Sequence, residues 1–129
     1  MEDMNMTYDG KMDEECIALC DALNSLPGVS TFESCCGHLK GCYNIWLNTS
    51  NLYSMSVIAR AFDKRYVNTN VIWRVCIETE EIDTYPMFCI RICSEDMFLD
   101  RDSMMHDVEE LAKSIDYWRG DGFKKYFKI

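Results

Sequence analysis

The sequence predicts an α+β domain, a two-layer sandwich in which a four-stranded, mainly antiparallel sheet carries about three helices on one face. Two observations lead there. Stretches with helical spacing alternate with stretches rich in β-branched and aromatic residues, in the order helix, strand, strand, helix, strand, strand, helix. Short polar connections within each strand pair suit hairpins, and hairpins joined by helices favour an antiparallel sheet with its helices on one side. At 129 residues, 48% of them hydrophobic, the chain has enough material for one core.

Residues 1–12 are polar, acidic and rich in Met, so they are expected to form a flexible arm ahead of a single domain over residues 13–129. They lack the basic start and apolar run of an export signal, and no apolar stretch reaches membrane-spanning length. The expectation is a cytoplasmic protein with no membrane partner. Asp13, Glu14 and Glu15 place negative charge on a first helical turn, where the helix dipole favours it. Ile17, Cys20 and Leu23, with Cys16 and Leu19 beside them, form an apolar stripe, and Pro27-Gly28 ends the helix. Val29 to Cys36 reads as a strand, closing in a small-residue tip of Ser34, Cys35, Cys36, Gly37 and His38.

After a hairpin-like Lys40-Gly41 connection, Cys42 to Asn48 alternates with period two, with Tyr43, Ile45 and Leu47 on one face. Ser50 or Asn51 can cap a second helix running to about Tyr66, with Leu52, Met55, Ile58, Ala59 and Phe62 as its apolar face. Val71 to Glu78 is the third strand, Thr79 to Pro86 a solvated acidic loop, and Met87 to Cys93 the fourth strand. Ser103 to about Trp118 forms the third helix, buried through Met104, Val108, Leu111, Ala112 and Ile115. Gly120-Asp121-Gly122 stops it before an aromatic, basic tail.

The net charge of −9 opposes extended nucleic-acid binding, because phosphate backbones repel such a surface. Between Ser34 and Ile77, however, Asp63 is the only acid, against Lys40, Arg60, Lys64, Arg65 and Arg74. This basic centre suits a pocket for a small anion; a buried middle short of acids would look the same. Eight cysteines without an export signal read as small buried residues rather than a disulfide scaffold. Paired C-x-x-C elements are missing, so no metal is expected, Cys35-x-x-His38 with Cys42 being the one outline of a site.

No Walker loop, dinucleotide fingerprint or serine elbow is present, so no catalytic residues and no cofactor are assigned. His106 reads as a surface residue. His38 beside Cys35 and Cys36 has the elements of thiol chemistry but no visible orienting group, which favours a structural turn. If helices cover the face bearing Phe32, Ile45, Trp73 and Ile90, the other face carries Thr31, Glu33, Asn44, Trp46, Arg74, Cys76, Cys89 and Arg91. That mixture fits a subunit interface or a ligand platform. The candidate ligand-binding residues are Arg60, Arg65, Arg74 and Arg91 for phosphates, Trp46 or Tyr66 for a base, and Ser34 and His38 at the pocket edge.

The pattern Asp13…Ile17…Leu19…Leu23-Asn24…Gly28-Val29-x-Thr31-x-x-Ser34-Cys35-Cys36-Gly37-His38 resembles the opening of the wybutosine-synthesis methyltransferase family over the leading third of the chain. In that family an Arg stands where this chain has His38, and a Ser where it has Cys36. This resemblance implies an S-adenosylmethionine-dependent, tRNA-modifying enzyme. Together with Ile45-Trp46 and Arg60…Lys64-Arg65-Tyr66, the stretch also resembles small phage and mobile-element proteins. Phage proteins of this size and shape include sponges, which sequester immune signals such as cyclic ADP-ribose isomers or cyclic oligonucleotides. That second resemblance implies a non-enzymatic anti-defence protein, a homo-oligomer (dimer or higher) that binds a small nucleotide-derived ligand. An acidic inhibitor of a basic protein is the remaining expectation.

Overall fold

Helix α1 spans Glu14–Asn24 in a computed structural model that describes residues 12–82 and 85–127. It buries Cys16, Leu19, Cys20 and Leu23, which recur at i, i+3, i+4 and i+7. Ile17, expected in that stripe, points outward and is 44% exposed. The chain continues through β1 (Ser30–Cys35), a 3-10 turn (Gly37–Leu39), β2 (Asn44–Asn48), α2 (Leu52–Ala61), β3 (Trp73–Ile82), β4 (Tyr85–Ser94), α3 (Arg101–Arg119) and α4 (Asp121–Phe127). Strand order is β1-β2-β4-β3, with every neighbouring pair antiparallel. The expected α+β fold and element order are therefore present, with α4 added where a tail was expected.

Several boundaries differ for identifiable reasons. The acidic stretch expected as a loop is strand on both sides of residues 83 and 84, because Glu78 to Ile82 pair with Cys89 to Tyr85. Cross-strand pairing overrides the low strand propensity of consecutive acids. Helix α2 ends at Ala61 rather than near Tyr66, and Asn51 caps it by accepting from the Ser54 N–H at 3.0 Å. Its buried side is Ser54, Val57, Ile58 and Ala61, so Leu52 and Ala59 face outward. Asp100 caps α3 in the same way through the Ser103 N–H, starting the helix two residues before Ser103. Of the expected N-terminal arm, Met12 packs half-buried against the core, and residues 1–11 lie outside the described residues.

All three long helices cover one face of the sheet. Tyr43, Ile45 and Leu47 of the β2 region and Ile90 and Ile92 of β4 meet the buried sides of α1, α2 and α3 in one cluster. Tyr43 is wholly buried, and its hydroxyl donates to the Glu15 carbonyl at 2.7 Å, tying sheet to α1. Asp107 of α3 is also fully buried and accepts from the backbone N–H groups of Asn70 and Val71.

Strand β1 corrects the assignment of faces. A bulge between Thr31 and Glu33 shifts the register, so Thr31 opposes Leu47, and Glu33 opposes Trp46. The extra residue, Phe32, breaks the simple alternation. Thr31 and Ser34 consequently lie on the helix-covered side and are buried, whereas Phe32 is outside the core cluster. Trp73 and Ile90 are buried on the covered side as expected. Farther along the β3–β4 hairpin that cover runs out, leaving Ile77 and Phe88 68% and 49% exposed.

Candidate functional site

The residues expected in one pocket fall into three groups. On the uncovered face, two cross-strand rows run side by side: Glu33, Trp46, Arg91 and Cys76 in one, and Cys35, Asn44, Cys93 and Arg74 in the other. Trp46 is half-buried between Glu33 and Arg91. Arg91 is anchored twice, through an ion pair from Nε to Glu78 Oε1 and a 3.1 Å hydrogen bond from Nη1 to Asn44 Oδ1. Arg74 donates to Glu95 at 2.9 Å. These carboxylates raise both guanidinium pKa values further, Glu78 for Arg91 and Glu95 for Arg74, keeping them charged. Cys89 and Cys93 are buried on this face, and burial pushes the Cys93 thiol up.

Arg60, Arg65 and Tyr66 form a second group, on the helical layer. The Arg60 guanidinium lies over Tyr66 at 4.8 Å and over Trp118 at 5.1 Å, so much of its role is stacking. Arg65 pairs with Asp63 at 2.6 Å, and Tyr66 stacks edge-on against Trp118. This group lies on the helical layer, apart from the strand rows that carry Trp46 and Arg91. A groove of about 670 Å³ between α2 and β3 is lined by Ile58, Phe62, Trp73, Ile77 and Arg74, but not by Trp46 or Arg91.

The third group is the tip after β1. Ser34, expected at a pocket edge, has its hydroxyl buried on the covered side, next to the Cys16 thiol. His38 is exposed and does approach other polar groups. Its Nε2 stands 3.5 Å from Asp13 Oδ2, and its Nδ1 lies 3.7 Å from Cys36 Sγ. Asp13 is the orienting group that sequence reading missed. It occupies the N-cap of α1 but makes no side-chain capping bond, and instead accepts from the Cys36 N–H at 2.9 Å.

The tip is shaped by backbone. Gly37, His38 and Leu39 all have positive φ, of 82°, 52° and 62°. For the two non-glycine residues this is a strained conformation, held by the surrounding contacts. A Cβ at Gly37 would meet the Cys42 carbonyl oxygen at 2.8 Å, so only glycine fits there. Carboxylate, imidazole and thiol stand in the order of a thiol relay, yet Cys36 is 2% exposed and burial pushes its thiol up to about 11. Cys36 is thus neutral and shielded near pH 7, unsuited to act as a nucleophile.

No family model, curated protein or solved structure matches the chain. No helix among the described residues is long and apolar enough to cross a membrane.

Proposed function

We propose that this chain is a binding protein that holds a small nucleotide-derived anion on the uncovered face of its sheet and releases it unchanged. The observation that carries the reading is the in-register pair of Trp46 and Arg91 on a face that no helix among the described residues covers. An indole offers a base a stacking surface, and a guanidinium has five donors, of which Glu78 and Asn44 engage two. Arg91 is therefore held in place with donors remaining for phosphate oxygens. Sequestration requires burial and pairing of the ligand rather than a reacting group. In this reading a second copy closes over the face, and the ligand is a nucleotide immune signal of the kind phage sponges remove.

Native mass spectrometry with cyclic ADP-ribose isomers, cyclic di- and trinucleotides and S-adenosylmethionine tests it, followed by chromatography of what heat releases. The expected result is one class of ligand bound by a dimer or larger assembly and recovered intact. Trp46→Ala and Arg91→Ala should each weaken binding by about tenfold or more, the loss of one stacking or charged contact. Arg65→Ala, on the helical layer, should leave it unchanged. Recovery of a converted ligand would establish an enzyme instead, and binding of none would reject the reading.

A further inference from the structure

We propose that Asp13, Cys35 and His38 form a binding site for a divalent transition-metal ion, zinc in the first instance. The three side chains come from the N-cap of α1, the end of β1 and the 3-10 turn, and their ligand atoms all lie within 4.8 Å of one another. His38 Nε2 and Asp13 Oδ2 are 3.5 Å apart. Bond lengths of about 2.0–2.3 Å to zinc give tetrahedral ligand–ligand edges of roughly 3.3–3.8 Å, so this pair already has the required spacing.

Each ligand also has the supporting contact that metal sites use to orient their donors. The Gly37 N–H donates to Cys35 Sγ at 3.4 Å, which orients the sulfur. The Cys36 N–H holds the Asp13 carboxylate. The second imidazole nitrogen, Nδ1, faces Cys36 Sγ, which leaves Nε2 turned towards the carboxylate. The left-handed backbone at His38 brings its ring back over the end of β1, so the strain serves the site.

One thiolate, one imidazole and one carboxylate suit zinc among the common cellular divalent ions. Three protein donors, with the His38 side chain 63% exposed, leave a fourth position to water or a ligand oxygen. Cys35 opposes Asn44, the residue that anchors Arg91, so the ion would sit beside the open face.

The test uses the full chain, stripped with a chelator and titrated with zinc by calorimetry, with metal content measured after dialysis. No nucleotide is present, so the outcome is independent of the ligand reading. About one zinc per chain is expected. Cys35→Ser and His38→Asn should each lower affinity more than about tenfold; asparagine tolerates the left-handed backbone, so the turn survives. Cys42→Ser and His106→Gln should bind as the parent does. Cobalt substitution should give a thiolate charge-transfer band that Cys35→Ser removes. Absence of stoichiometric zinc, or undiminished affinity in the Cys35→Ser/His38→Asn double variant, would overturn the proposal.

Discussion

The indole N–H of Trp73 donates to Asp107 Oδ2 at 3.1 Å inside the core. Asp107 thereby gathers three donors, since Asn70 and Val71 offer their backbone N–H groups to the same carboxylate. The Trp73 ring in turn packs against Tyr43, Phe62 and Phe98. One carboxylate on α3 thus sets where β3 begins and joins an edge strand to the helical layer.

Removing that carboxylate takes the acceptor from the buried Trp73 N–H and from the part-buried N–H groups of Asn70 and Val71. Asp107→Ala should destabilise the fold by about 3 kcal/mol, the range for leaving buried polar partners unsatisfied. Asp107→Asn keeps the shape but replaces one acceptor with an NH₂ facing donors, so it should also destabilise. Urea unfolding followed by tryptophan fluorescence measures both.

Gly37→Ala should lower stability through the tip. The left-handed backbone alone costs roughly 1–2 kcal/mol with a Cβ, and the clash with the Cys42 carbonyl adds to it. The thermal midpoint should fall in Gly37→Ala and remain near the parent's in Gly41→Ala, where the nearest atom to a new Cβ is 3.9 Å away.

Hydrogen bonds from Arg65 hold the Asp63 carboxyl at about 2, below the ordinary 3.8. A depressed folded value contributes stability above pH 3.8 that disappears as pH falls towards 2. Because the pair is largely solvent-exposed, its contribution is small. Carboxyl NMR titration should place the Asp63 midpoint well below that of a free aspartate, and Arg65→Ala should return it towards 3.8.

Burial pushes the Cys16 thiol up to about 12 from 9.0. Its folded value exceeds the unfolded one, so this contribution is whole below pH 9.0 and is lost as pH rises through about 12. Urea midpoints measured across that window should decline less steeply in Cys16→Ala. At neutral pH, iodoacetamide should label the half-buried Cys35 and Cys42 before Cys16, Cys20 or Cys36.

Residues that make local patterns were legible in the sequence. The strict alternation of Tyr43, Ile45 and Leu47 placed all three on the covered face, where each is fully buried. The start of α2 was legible to within one residue, as a cap at Ser50 or Asn51, since a side-chain cap acts within one turn; Asn51 makes it. Phe32 was misplaced because a bulge is decided by the register against β2, which no single strand encodes. Arg60 and Arg65 were grouped with Arg74 and Arg91 on charge alone. Arg60 and Arg65 belong to the helical layer, whereas Arg91 sits in the strand row with Trp46 and Arg74 lines the groove between α2 and β3.

The sequence by itself determined the kinds of element and their order, because periods of 2 and 3.6 residues are local properties of a short stretch. It also marked the Ser34 to His38 tip as the place to look. Only the tertiary structure turned Ser34 inward and brought Asp13 to that tip, where it bonds Cys36 across 23 positions of chain. Such a meeting depends on how α1 packs against the end of β1. Atoms distant in sequence become neighbours through packing, which periodicity does not record.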